Sequence, residues 1–214
     1  MRRARDADAG ASALSLRDTL GVAIKRFLYE GYGRDRWQQP DRVIKALGLE
    51  PGVVIADVGS GSGYFTLRFA RSVGPTGRVL AVDTDRQLLE AIGRNAREQG
   101  LSNVATVESS DSTIALPQPV DVIFLSNVFH HLPEQRHYFA SARSQLAPGG
   151  RVAIIESRPE GWFARWFGHS TEPATIRGTM GEAGFNLVAS HDFVERHSFQ
   201  IFEPTADPGT TRAD

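Results

Sequence analysis

Between residues 51 and 204 the chain alternates short, nearly continuous apolar runs with segments whose apolar residues recur every three to four positions. The first pattern reads as strands buried on both faces, the second as amphipathic helices. Val53–Val58 opens the series after Pro51-Gly52, and a helix of roughly Gly63–Val73 follows, carrying Phe65, Phe69 and Ala70 on one face and stopped by Gly74-Pro75-Thr76-Gly77. Arg78–Val82 is the second strand and ends in Asp83; Asp85 then caps a helix running to about Gln99, with Gly100 at its C-terminal cap. Val104–Val107 and Val120–Leu125 are the third and fourth strands, Pro133–Leu146 a helix ended by Pro148-Gly149-Gly150, and Arg151–Glu156 the fifth strand. A helix at about Glu172–Ala183 precedes strands at about Phe185–Asp192 and Arg196–Phe202.

Strands alternating with helices predict an α/β, doubly wound, mostly parallel sheet with helices on both faces. Too few residues join the last two strands for a crossover helix, so they are predicted to form an antiparallel hairpin. Upstream, Leu16–Tyr32 reads as an amphipathic helix with Leu20, Ile24, Phe27 and Leu28 on one face, and Pro40–Leu47 as a second short helix. Together they make residues 16–50 an N-terminal helical cover for a domain over 51–204. Residues 1–15 and 205–214 offer little to bury and are expected to be disordered tails.

Composition narrows the function classes. The 214 residues suit one domain, and a formal net charge of -1 supplies no global field for nucleic acid or an anionic membrane. The absence of cysteine excludes disulfides and thiolate metal sites; the scattered histidines lack ligand spacing, so no metal is expected. No segment matches a signal peptide or the roughly 18 apolar residues of a membrane span, and the expected location is cytoplasmic.

The chemistry concentrates at strand ends. Asp57-Val-Gly59-Ser60-Gly61-Ser-Gly63-Tyr64 joins a strand to a helix. Glycines there permit a sharp turn and let a ligand approach main-chain N–H groups, although a tight turn without a ligand would use them too. The dinucleotide fingerprint requires a glycine three residues beyond Gly61; Tyr64 stands there, which counts against a nicotinamide cofactor. Asp57 would repel a phosphate and suits a loop that receives a cationic amino-acid ligand. Asp83 puts a carboxylate beside that loop, able to accept from the two hydroxyls of a ribose. Asp111-Ser112 follows the third strand, where an acid can accept from an adenine amine. Ser126-Asn127-Val-Phe-His130-His131-Leu132 follows the fourth.

These motifs, in this order, resemble the class I S-adenosylmethionine-dependent methyltransferases, with a texture similar to the small-molecule branch that includes quinone-biosynthesis enzymes. The resemblance rests on VIADVGSGSGYFT, VLAVDTD, SSDS, FLSNVFHHL and LAPGGRVAIIE, and covers about Trp37–Glu203. It implies a seven-stranded sheet of order 3-2-1-4-5-7-6 with strand 7 antiparallel. It also implies that the Gly59–Gly63 loop, with Asp57 and Ser60, meets the methionine part of S-adenosyl-L-methionine. Asp83 would bind the ribose, Thr84 stack near the adenine, Asp111 and Ser112 address the adenine edge, and Asn127 line the sulfonium end.

The expected reaction is in-line methyl transfer to a small-molecule acceptor by a monomer or homodimer. Methylation of RNA or protein, and cofactor binding without catalysis, are the alternatives. No basic run is present, and Ser126-Asn127-Val128-Phe129 lacks the Asn/Asp-Pro-Pro-Tyr/Phe signature of many amino-group methyltransferases. An acceptor that must lose a proton needs a base, for which His131, Glu156 and His169 are candidates. Adjacent histidines on a turn point in different directions, so one of His130 and His131 is expected to face the crevice, and His131 is preferred. Trp162, Phe163, Trp166 and Phe167 pair at i, i+4 as a lid, an aromatic substrate wall, or both. Tyr29, Tyr32, Arg36 and Trp37 either close over the cofactor or anchor the N-terminal helix.

Overall fold

The computed structural model describes residues 34–110, 112–159 and 170–206. The expected tail over 1–15, residues 207–214 of the expected tail over 205–214, the helix at Leu16–Tyr32, the aromatic segment Trp162–Phe167, and the site candidates Asp111 and His169 lie outside the described residues. Thr205, placed in that tail, instead donates its N–H to the Gly184 carbonyl at 2.9 Å, and its own carbonyl accepts from Arg143 Nη2 at 3.0 Å.

Seven strands form one sheet in the order β3-β2-β1-β4-β5-β7-β6. They are β1 (Val54–Val58), β2 (Arg78–Asp83), β3 (Val104–Glu108), β4 (Val120–Ser126), β5 (Leu146–Ser157), β6 (Phe185–His191) and β7 (His197–Pro204). β1 to β5 pair in parallel, while β7 runs antiparallel to both β5 and β6. The helices are α1 (Arg34–Gln38), α2 (Pro40–Ala46), α3 (Thr66–Val73), α4 (Arg86–Glu98), α5 (Gln135–Ala142) and α6 (Pro173–Glu182). No helix among the described residues is long and apolar enough to cross a membrane.

The period of two along each strand divides the core between the faces. Ala56, Val58, Leu80, Val82, Ile123, Leu125, Val152 and Ile154 point to one side, where Phe129, Phe139, Ile176 and Met180 cover them. Ile55, Val79, Val122, Phe124, Ala153 and Ile155 point to the other, against Phe65, Phe69, Val73, Val43 and Leu47. There Phe124 meets Phe65 and Phe69 edge-on at 4.8 and 5.0 Å between ring centres. With no exposed surface on Phe69 or Phe124, truncating either to alanine would cost about 3–5 kcal/mol. Asp85 does cap α4, accepting from the Gln87 and Leu88 N–H groups; Gly100, one residue past the C-cap Gln99, takes the left-handed turn at φ 70.

Three expectations change. The helix at Pro133–Leu146 is shorter: α5 ends at Ala142, a 3₁₀ turn covers Arg143–Gln145, and β5 already begins at Leu146. Pro148-Gly149-Gly150 therefore lies inside β5, where the pairing slips from Val120↔Leu146 to Val122↔Arg151. An irregularity is where a strand tolerates a residue without an N–H, and Pro148 and Gly149 are exposed there. Second, α3 starts at Thr66 rather than Gly63 because the glycine-rich turn continues to Phe65. Third, α1 is a helix for which the apolar pattern gives no sign.

Candidate functional site

The carboxyl ends of β1, β2, β4 and β5 open onto a cavity of about 680 Å³, the crevice in which open α/β sheets bind ligands. One wall is the glycine loop. Gly59 and Ser60 both donate their N–H to the Val82 carbonyl, at 2.8 and 3.0 Å, which ties the turn to β2. Gly59 has φ 67, and a Cβ there would lie 2.3 Å from Val128 Cγ2. Gly61 has φ 54, but a Cβ would meet nothing nearer than the Gly59 carbonyl at 3.9 Å, so its open side belongs to the cavity. Gly59→Ala is therefore expected to destabilise the fold by about 1–3 kcal/mol through strain and overlap. Gly61→Ala should cost less stability and more ligand affinity; melting curves paired with ligand titrations separate the two.

Asp57 and Gly63 stand behind the loop, off the cavity wall. Asp57 Oδ2 accepts from Thr66 Oγ1 at 2.5 Å, which joins the end of β1 to the first turn of α3. Burial pushes the Asp57 carboxyl up to about 7 from its ordinary 3.8, against the Thr66 bond, with the Asp83 charge adding and Arg34 opposing. Between about pH 4 and 7 the folded protein thus holds a proton that the unfolded chain has released. Stability should fall across that window and level off above pH 7. Asp57→Asn, which keeps an acceptor for Thr66, should flatten that slope in thermal melts from pH 5 to 8.

The second wall is the β2 end. Asp83 Oδ2 accepts the Gly61 N–H at 2.8 Å, and Oδ1 the Asp85 N–H at 2.9 Å. Each carboxylate oxygen keeps a further lone pair. Thr84, Asp85, Leu88, Ser109 and Ser110 continue this wall. Ser112 lies off it, its hydroxyl 3.1 Å from that of Ser110.

The third wall rises from β4 and β5. Asn127, left-handed at φ 56, is fixed by its N–H to the Ile155 carbonyl at 2.8 Å. Its Oδ1 accepts from the Ser157 N–H at 3.1 Å and the Ser157 hydroxyl at 2.9 Å. That hydroxyl also lies 3.1 Å from His197 Nε2, and the His197 ring stacks on Trp37 at 5.2 Å. Among the described non-glycine residues with positive φ (Gln39, Asn127, Arg196), Asn127 alone lines the cavity. Such strain concentrates at working sites.

His130 and His131 both line the cavity, where the sequence leaves room for one. The 3₁₀ turn Phe129–His131 brings their ring centres to 4.0 Å. His130 has a buried carboxylate partner: its Nδ1 lies 2.8 Å from Glu156 Oε1. Glu156 is fully buried behind it, away from the cavity wall, with Oε2 unpartnered. Burial lifts the Glu156 carboxyl to about 7, against bonds from backbone N–H groups and the pull of His131.

A family model described as a methyltransferase domain matches residues 49–190. The chain belongs to the class I S-adenosylmethionine-dependent methyltransferases. A protein-L-isoaspartate O-methyltransferase from Aeropyrum pernix is 34% identical over 127 residues, covering 56% of this chain and 44% of that protein. A ubiquinone/menaquinone biosynthesis C-methyltransferase from Shewanella halifaxensis is 28% identical over 120 residues, covering 55% and 48%. This methyltransferase-family chain thus spans about half the length of the curated relatives it matches. A crystal structure of a SAM-dependent methyltransferase from Aquifex aeolicus superposes with a TM-score of 0.72 at 24% identity, over 83% of this chain and 95% of that one, a likeness of fold.

Of the residues singled out in the sequence of this methyltransferase-family chain, Trp37, Gly59, Ser60, Gly61, Asp83, Thr84, Asn127 and His131 share the cavity wall. Residues to which the sequence assigns no role join them: Arg34 and Gln38 from α1, Ser109 and Ser110 from the SSDS motif, and Ser157. The sequence favours His131 over His130, although Glu156, the carboxylate partner of His130, is itself a candidate there. The implied order, with β5 beside β4, is the one signal that brings the two together.

Proposed function

We propose that this chain transfers a methyl group from S-adenosylmethionine to a small-molecule acceptor, and that His130, oriented by Glu156, removes the acceptor's proton. The observation that carries this reading is the His130–Glu156 pair at 2.8 Å, on the wall of the cavity that the glycine loop and Asp83 also line.

The residues fit the cofactor. Gly61 leaves open the space a Cβ would fill, Asp83 offers lone pairs to a ribose diol, and the buried hydroxyls of Ser60, Ser62 and Ser126 have no partner among the described residues. In the proposed arrangement Gly59–Gly63 receives the methionine part, Asp83 the ribose, Thr84 and Ser109 the adenine side, and Asn127 the sulfonium end. When bound, the cofactor supplies a methyl group on a positively charged sulfur that leaves as a neutral thioether. The protein's part is to hold the acceptor in line with that bond, an effect worth about 7–11 kcal/mol in good geometry.

Glu156, when ionised, accepts from His130 Nδ1–H, and the lone pair then rests on Nε2. With the cofactor held by the glycine loop and Asp83 to supply its methyl group, Nε2 would take the proton that the acceptor's oxygen or nitrogen gives up. A protonated Glu156 reverses the tautomer by donating to Nδ1, which puts the hydrogen on Nε2 and removes the base.

A protein carboxylate is the second acceptor class, supported by the likeness to the Aeropyrum pernix enzyme. The test incubates the chain with methyl-labelled cofactor and, separately, a set of phenols and quinols, an isoaspartyl peptide, and bulk RNA. Label in a phenol or quinol is the expected result. Label confined to the peptide or RNA moves the acceptor class. No label with any of them, despite S-adenosylhomocysteine binding in calorimetry, supports cofactor binding without catalysis.

A further inference from the structure

Gln38 ends α1, has no exposed surface, and lines the cavity, yet neither Nε2 nor Oε1 of its amide has a hydrogen-bond partner among the described residues. Interiors seldom keep an amide in that state, because both its donor and its acceptor lose water without compensation. The side chain has not simply collapsed inward, for α1 is fixed at several points. Asp35 Oδ1 accepts from the Tyr64 hydroxyl at 2.5 Å and from Arg68 Nη2 at 2.8 Å. The Trp37 carbonyl accepts the Glu195 N–H at 3.1 Å while its ring stacks on His197. The next residue, Gln39, is left-handed at φ 47, and its Nε2 donates to the Phe193 carbonyl at 2.6 Å. Bonds across the fold thus hold a costly amide in the cavity.

The anchors also say which part of the cavity α1 overlies. Tyr64 directly follows the glycine loop, and its ring lies 3.9 Å from the Arg34 guanidinium carbon. Asp57, just ahead of that loop, feels the Arg34 charge. On its other flank α1 touches His197, which leads through Ser157 to Asn127. The helix that carries Gln38 is thus flanked by the residue after the glycine loop on one side and by the His197–Ser157–Asn127 chain of the β4–β5 wall on the other. Ser60 and Ser62 on the same cavity wall also carry buried, unpartnered hydroxyls. A ligand group that satisfies an amide N–H and an amide carbonyl together must offer an acceptor and a donor side by side. An amino acid's α-carboxylate and α-ammonium do so, with full charges that make both bonds strong.

We propose that Gln38 is a binding residue for the amino-acid end of the cofactor: Nε2 donates to the α-carboxylate and Oε1 accepts from the α-ammonium. The identity of the ligand rests on the methyltransferase reading; the placement of Gln38 does not.

The test compares two ligands that share the nucleoside and the sulfur. S-adenosylhomocysteine carries the amino-acid end, and 5′-methylthioadenosine lacks it. Calorimetry on the full chain should show Gln38→Met weakening S-adenosylhomocysteine by at least about tenfold, the size of a bond to a charged group. Methylthioadenosine affinity should stay within about twofold of wild type. Ligand-free Gln38→Met should melt at or above the wild-type temperature, because an unpaired amide has been replaced by an apolar chain of similar length. Equal loss for both ligands, no loss for either, or a lower melting temperature without ligand overturns the proposal. Failure of the wild-type chain to bind either ligand instead sinks the cofactor reading and takes the proposal with it.

Discussion

Replacing Asp83 with alanine is expected to weaken S-adenosylhomocysteine binding by about 100-fold or more. A carboxylate that accepts two ribose hydroxyls makes charge-assisted bonds of about 1.5–3 kcal/mol each, and the variant loses both. It also loses two internal bonds, from the Gly61 and Asp85 N–H groups at 2.8 and 2.9 Å. The first anchors the tip of the glycine loop, so the loop proposed to receive the methionine part should loosen with the ribose contact. Asp83→Asn separates the contributions: one oxygen remains to accept, the other position becomes a donor, and binding should fall between wild type and alanine. Because the loss lies on the nucleoside side, methylthioadenosine should suffer along with S-adenosylhomocysteine, the opposite of the pattern for Gln38. Calorimetry reads the affinities, and melting curves read the stability lost with the two backbone bonds. Unchanged affinity in Asp83→Ala would remove the ribose assignment.

How much of this was legible in advance depended on whether the interaction was local. The strands could be read because burial on both faces makes them nearly all apolar, and the α4 cap because Asp85 bonds to residues two and three positions ahead. Asp83 stood out because it directly follows an apolar strand. The α1 helix did not, since RDRWQ has no apolar stripe. Its conformation is set by Tyr64, Arg68 and Glu195, distant in the chain, and tertiary contact rather than propensity decides so short a helix. The Pro-Gly-Gly run was read as a helix stop because those residues usually are one; β5 absorbs them at a slip in register instead. The choice between His130 and His131 turned on a partner 26 residues away. The Ser126↔Ile155 pairing brings that partner within reach, and no local pattern reports a register between strands.

Alanine at His130 should lower kcat by about 10²–10⁴, the usual contribution of a positioned base, while S-adenosylhomocysteine affinity stays within about threefold of wild type. The argument runs through Glu156. Its carboxyl is fully buried and lifted to about 7, so near neutrality the His130–Glu156 pair still holds a proton that an exposed glutamate would have lost. Below that pH the pair is protonated, and Nε2 has no lone pair for the acceptor. Above it the carboxylate is ionised, Nδ1 carries the hydrogen, and the base is ready. The wild-type rate should accordingly rise with pH through about 7 and then level. Glu156→Gln removes the ionisation but leaves the ring a hydrogen-bonding neighbour, so kcat should drop and the inflection near 7 should vanish. His131→Ala should cost less, because His131 is exposed whereas His130 is held against the buried Glu156 carboxyl. A cofactor-binding chain whose rate is flat across pH 5.5–8.5 and unmoved by His130→Ala would mean that the acceptor reacts without surrendering its proton to this pair. The dyad would then be structural, a buried acid satisfied by the nearest ring.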